Sequence, residues 1–269
     1  MDLSVTDFNV RLRTIRLREL ILGAIIAFVL AMIIAVFLPM FEGFDEAVFA
    51  IFMILLILFF AWALRGTHGL KDNFSQIFER DNSREILYVL IINFIFALFI
   101  VSFFVTLDAF SNPLAEPISE MMEASSEYIG TGVLLLEIFT AIILAPIIEE
   151  LVFRGVLFNR LKIRTGLIVA MLVSSFLFAI GHEFGGIISA FVFGMCMCII
   201  YYKTDNILLT MTIHFLNNLI GTILDFTPLP DILMEMPWLI ITFIISAICG
   251  ILILIYIYKN LKAFRASGD

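Results

Sequence analysis

The stretch Ala145-Pro146-Ile147-Ile148-Glu149-Glu150-Leu151-Val152-Phe153-Arg154-Gly155 sets three charged side chains inside an otherwise apolar run. The run starts at Ile138, just after Glu137, and closes at Arg160, so Glu149 lies at its midpoint when it is read as a helix. A charged side chain at mid-bilayer costs about 2.5–3.5 kcal/mol even on the most lenient insertion scale. Such a helix is tolerable only inside a larger bundle, and the rest of the chain supplies one.

The 269 residues are 62% hydrophobic, 14% aromatic and 15% charged. A soluble domain holds about 45–50% apolar and about 25% charged residues, so the polar surface here is too small to cover a soluble core. The 29 Phe residues exclude a disordered chain, and the net charge of −8 argues against nucleic acid. The expected fold is all-α, a polytopic bundle of about eight transmembrane helices forming a single integral membrane domain over 1–269. Each span takes about 20 apolar residues. Candidate runs are Leu20–Met40, Ala47–Leu64, Ile86–Leu107, Ile138–Arg160, Gly166–Gly186, Ile187–Tyr202, Ile207–Thr222 and Trp238–Tyr258. The first is long enough to span and no small-residue cleavage site follows it, so no signal peptide is expected. Cys196, Cys198 and Cys249 sit in apolar runs without zinc-type spacing and read as packing residues. The chain does not end in a Cys-a-a-X prenylation signal.

Lys and Arg give the orientation. They cluster at Arg11, Arg13, Arg16 and Arg18, then at Arg65, Lys71, Arg80 and Arg84. Further groups are Arg160, Lys162 and Arg164, the single Lys203, and Lys259, Lys262 and Arg265. With eight alternating spans all five groups fall on one side, leaving only Arg154, inside a span. The opposite loops, Phe41–Glu46, Asp108–Glu137 and Asp225–Pro237, contain no Lys or Arg and many acids. The positive-inside rule therefore predicts a multi-pass cell-membrane protein with both termini cytoplasmic. Residues 1–19 form a basic cytoplasmic segment, and Arg11–Arg18 is placed to lie along anionic lipid or simply to signal topology. The long outer loop, with Pro113, Pro117, Glu116, Glu120, Glu123 and Glu127, reads equally as a connector or a short lid.

Other polar residues break the apolar pattern within 138–222, where the catalytic helices are expected. His182 follows Phe178 by four residues, and Asn218 follows His214 by four, so each pair shares a helix face. Arg154 follows Glu150 by the same interval, which predicts an ion pair and leaves Glu149 pointing about 100° away. At about 1.5 Å per residue Glu149 stands about 16–20 Å above the basic anchors of its own helix. Asn218 stands about 20 Å, His214 about 15 Å and His182 about 24–27 Å above theirs. Ordinary helix tilt lets all four meet in one layer. A carboxylate suited to general-base work, a second proton carrier at His182, and donors at His214 and Asn218 make a kit for hydrolysing an amide with activated water. Asn217 falls on another face, Glu183 is as readily surface-near as supporting, and His68 reads as a solvated loop residue. Gly155, Gly181, Gly185, Gly186, Gly194 and Gly221 suit close helix packing.

Glu149-Glu150-x-x-x-Arg154, Phe178-x-x-x-His182 and His214-x-x-x-Asn218, in this order on separate membrane helices, resemble the three motifs of the CAAX protease and bacteriocin-processing (CPBP, or Abi) family. The resemblance covers Ala145 to Asn218; the other helices match only as membrane spans. It implies an intramembrane endopeptidase in which Glu149, with His182, activates water, and His214 and Asn218 form the oxyanion hole. Glu150, Arg154 and Phe178 support them. It further implies a membrane-associated or lipidated peptide or protein substrate, reached laterally or from the cytoplasmic side. Members of the family remove the terminal tripeptide of prenylated proteins, and many bacterial members act on peptides, pheromones or bacteriocins or confer immunity to them.

No metal or other cofactor is expected, since a neutral Asn is a poor zinc ligand and no His-Glu-x-x-His helix is present. A zinc variant would draw on Glu149, His182 and His214. Two other classes compete. A transporter would use the buried charges as an ion relay, but the chain lacks the internal symmetry that mechanism predicts. A bacteriocin-immunity or partner-binding protein would keep the same residues without turnover.

Overall fold

The computed structural model describes residues 1–37, 44–111, 130–182 and 186–266. Pro113, Pro117, Glu116, Glu120, Glu123, Glu127, Glu183 and Gly185 lie outside them. Among the described residues the chain is helical throughout, apart from one isolated bridge between Asp7 and His68. The elements are α1 (Phe8–Thr14), α2 (Leu17–Val36), α3 (Phe44–Ala63), α4 (Leu70–Gln76) and α5 (Arg80–Ser111). They continue with α6 (Thr131–Thr165), α7 (Leu167–Ala179), α8 (Ile187–Thr204), α9 (Ile207–Asp225), α10 (Leu229–Met234) and α11 (Trp238–Ala266).

Among the described residues seven helices are long and apolar enough to cross a bilayer: α2, α3, α5, α6, α8, α9 and α11. The expected span Gly166–Gly186 is not the eighth. Its helix, α7, has 13 residues, a rise of about 20 Å against a hydrocarbon core of about 30 Å. It stops because the chain tightens into turns after Ala179. Gly181 N–H donates to the Phe178 carbonyl and His182 N–H to that of Ala179. An apolar run read by hydropathy alone includes this glycine-bearing tip. The chain then returns as α8, packed along α7, so the pair is a helical hairpin whose tip carries His182.

The bundle is built of pairs around a centre: α2 lies on α3, α5 on α11, and α7 on α8. Between them run α6 and α9, which touch each other, with α6 also on α3 and α7 and α9 also on α5 and α8. Lipid is as apolar as the helix sides, so close approach through small residues holds such helices together. A Cβ on Gly194 of α8 would stand 3.1 Å from the Cα of Ser175 in α7. One on Gly155 of α6 would stand 2.7 Å from the end of Leu12 in α1. Gly186 and Gly221 differ from the packing role expected of them: nothing lies within 4 Å of where a Cβ would be. Both border a cavity.

Side-chain bonds cross the face that carries the basic clusters, beside a separate cavity of about 480 Å³ between Arg16–Arg18 and Arg160–Arg164. Arg11 is 3% exposed and donates to the carbonyls of Leu3, Val5 and Arg65, so it clamps the N-terminal segment instead of facing lipid headgroups. Arg13 pairs with Asp205. Lys203 and the Tyr256 hydroxyl both reach Glu85, at 2.6 and 2.5 Å. Asn206 donates to the Asn73 carbonyl and to Gln76 of α4. The His68 side chain is exposed, while its backbone pairs with Thr6 and Phe8.

Candidate active site

Pro146 shapes the helix that carries the glutamates. It has no N–H, and α6 passes through a π-helical stretch, Thr140–Leu144, just before it. There the Ala145 N–H donates to the Thr140 carbonyl. The Ala141 carbonyl thus loses its donor at Ala145 and finds none at Pro146. The Asn218 side chain supplies one, Nδ2 to Ala141 O at 2.8 Å. A proline in α6 and an amide in α9 are in this way two halves of one joint.

A second π-helical stretch, Glu150–Phe158, follows. Its carbonyls are also served by side chains: Ser174 donates to Phe153, and Asn159 to both Arg154 and Gly155. Asn159 is 3% exposed and also donates to the Tyr201 hydroxyl. Irregular backbone inside a membrane survives only where protein satisfies it.

Glu150 and Arg154 are wholly buried and pair at 2.9 Å. The same Glu150 oxygen accepts from His214 Nδ1 at 3.0 Å. Arg154 lies over the Phe178 ring, 4.4 Å from its centroid, and donates to the Gly194 carbonyl at 3.5 Å. Phe178 also meets the rings of His182 at 4.7 Å and His214 at 5.7 Å. One phenyl ring therefore joins the guanidinium and both imidazoles.

Glu149 is placed differently. Its side chain is 23% exposed, and Oε2 lies 3.7 Å from His214 Nε2. That oxygen is buried and has no hydrogen-bond partner among the described residues. Among the described residues, the imidazole within 4 Å of the Glu149 carboxylate is that of His214. His182 sits exposed at the hairpin tip with Nδ1 3.0 Å from the Phe178 carbonyl. A carbonyl only accepts, so this bond needs the proton on Nδ1 and leaves the Nε2 lone pair of the neutral ring free. His214 carries the complementary constraint. With Nδ1–H given to Glu150, Nε2 donates only when the ring is imidazolium.

A cavity of about 330 Å³ adjoins this cluster, bordered by His182, His214, Asn217, Asn218, Gly221 and Asp225 together with parts of α5 and α8. Glu149 meets the cavity through His214 and does not itself border it. The cavity wall adds Asn93 from α5, which the sequence reading passed over. Asn93 is 3% exposed, and its Oδ1 has no hydrogen-bond partner among the described residues. Its signal was available: a lone amide in the apolar run Ile91-Ile92-Asn93-Phe94. Among the described residues no group of three His, Cys, Asp or Glu side chains converges as a metal-holding group.

Residues 131–220 match the family described as type II CAAX prenyl endopeptidase Rce1-like. No curated protein and no solved structure matches the chain. The matched segment runs from the start of α6 into α9 and contains Glu149, Glu150, Arg154, Phe178, His182, His214 and Asn218. The match covers a third of the chain and supports, over that segment, its similarity to the CAAX protease and bacteriocin-processing family.

Proposed function

We propose that this protein is an intramembrane endopeptidase in which Glu149 activates the attacking water. The observation that carries the reading is the contrast between adjacent glutamates. Glu150 is wholly buried with its Oε1 bonded to both Arg154 and His214, while Glu149 is 23% exposed, holds no such pair, and keeps a carboxylate oxygen without a hydrogen bond beside an imidazole. A general base needs that free lone pair within reach of a water proton.

In the proposed reaction a water gives a proton to Glu149 and its oxygen adds to the scissile carbonyl carbon. The negative charge that forms on the carbonyl oxygen is met by the Asn218 amide hydrogen not used on Ala141 and, when the His214 ring carries both protons, by its Nε2–H. Collapse breaks the C–N bond, and the proton held by Glu149 passes to the departing amine, with the free His182 Nε2 as a second carrier. The products are a carboxylate and an amine. No step draws on a metal. The substrate class supported is a peptide or protein segment associated with the membrane.

Comparing the membrane and secreted peptides of cells carrying wild type, Glu149→Gln and Glu150→Gln at equal expression tests this. An uncut precursor accumulating with Glu149→Gln is the expected result. Unchanged peptides and phenotype with Glu149→Gln would leave a binding or immunity role in its place.

A further inference from the structure

The cavity is one-sided along the membrane normal. On α9 it is bordered by His214, Asn217, Asn218, Gly221, Thr222 and Asp225, a stripe running from the middle of the helix to its C-terminal end. The other half of α9 is closed: Ile207, Leu209, Thr210 and Ile213 are at most 1% exposed. Below His214 the floor is Glu150, Arg154, Val156 and Phe158, all at 0%. Beneath that floor lie the ion pairs and side-chain bonds that join Lys203 and Asn206 to α4 and α5. At the other end His182 and Asp225 are exposed, and the added Cβ at Gly186 or Gly221 meets open space.

The closed end carries the basic clusters and the open end carries none. Arg13, Lys71, Arg80, Arg84, Arg160, Lys162, Arg164 and Lys203 all flank the closed half, whereas the link 226–237 beyond Asp225 holds acids and no Lys or Arg. The positive-inside rule makes the closed end cytoplasmic. We propose that the site is reached from the non-cytoplasmic face and that its substrates are peptide segments exposed on that side. A segment whose reactive bond stays in the cytosol has no route to it. Among the bordering residues Asp225 is the acid at the rim, so neutral or cationic peptide flanks are favoured over acidic ones. The substrate half of this inference rests on the protease reading; the direction of access does not.

A Cβ at Gly221 meets nothing within 4 Å, so Gly221→Cys places a thiol in the cavity wall without steric conflict. Cys196, Cys198 and Cys249 are buried, and wild type gives the background. Ser75→Cys, exposed on α4, reports the basic face. With a membrane-impermeant maleimide, Gly221→Cys is expected to label in intact cells and to lose that labelling in inside-out vesicles, with Ser75→Cys showing the reverse. Labelling of Gly221→Cys from the same side as Ser75→Cys, or from neither side, overturns the proposal. The maleimide adduct is then tested for cleavage of the precursor that accumulates with Glu149→Gln. Loss of cleavage on outside labelling supports the substrate assignment, and undiminished cleavage overturns it. Outside labelling with no precursor in any variant keeps the access route and removes the protease reading.

Discussion

At Glu150, Arg154 and His214 three polar side chains are withdrawn from solvent and satisfied largely by one another. Removing one partner of such a group strands a charge, at a cost of about 3–5 kcal/mol. Glu150→Gln and Arg154→Met are therefore each expected to lower the thermal midpoint of the detergent-solubilised protein sharply. The double variant Glu150→Gln/Arg154→Met should recover part of the loss, which a double-mutant cycle measures. Glu149 is not held in this way, so Glu149→Gln should unfold near wild type while turnover falls by about 10²–10⁴. A parallel fall in midpoint would assign Glu149 to the structural group. Asn93 predicts a third pattern. Asn93 borders the cavity and its Oδ1 has no hydrogen-bond partner among the described residues, so Asn93→Leu should raise KM and leave kcat largely intact, as loss of uniform substrate binding does.

The elements show what a sequence carries and what it hides. The Glu150–Arg154 contact lies within one helix, and a spacing of four residues is enough to read it. The Glu149–His214 approach lies between helices, and depth arithmetic gives only a shared layer, not which imidazole arrives. The failure at α7 is of another kind: hydropathy counts Gly181 and its neighbours as membrane, whereas hydrogen bonding ends the helix at Ala179. The π-helical stretches were also out of reach, because besides Asn159 of α6 itself they draw on donors from α7 and α9 that meet α6 only after packing. Pro146 offers a direct test. Pro146→Ala restores an N–H that lets α6 satisfy its own carbonyls, so Asn218 loses its hold on Ala141. Turnover should fall by about tenfold or more, as small misplacements of positioning groups do, with thermal stability equal to or above wild type. A variant with full activity would show that the Asn218–Ala141 joint does not position the amide.

Taken whole, the molecule divides along the membrane normal into a sealed half and a hollow half, and the composition of each follows from what it must exclude. The sealed half uses apolar side chains with a few charges paired to one another; the hollow half uses Asn, His, Thr and Gly along one cavity. The hairpin of α7 and α8 makes the division possible, because its short first arm ends at Ala179 and the tip beyond it places His182 on the cavity wall. That arrangement depends on Gly194, where α8 approaches the Ser175 backbone, and Gly194→Val should separate the arms and lower the yield of folded protein. The division itself predicts an uneven hydrogen-exchange pattern within α9. The buried residues of α9 all lie between Ile207 and His214, and none is buried from Phe215 to Asp225. Few buried contacts and water at the helix side mark a segment that opens locally at low cost. The Phe215–Asp225 half should therefore exchange faster than the Ile207–His214 half in the detergent-solubilised protein. Gly221→Leu, which fills open space at the cavity wall, should slow exchange in the Phe215–Asp225 half while leaving the Ile207–His214 half unchanged. Uniform protection along α9, or a response to Gly221→Leu in both halves alike, would mean that the helix moves as one body and that the two halves are not separate in stability.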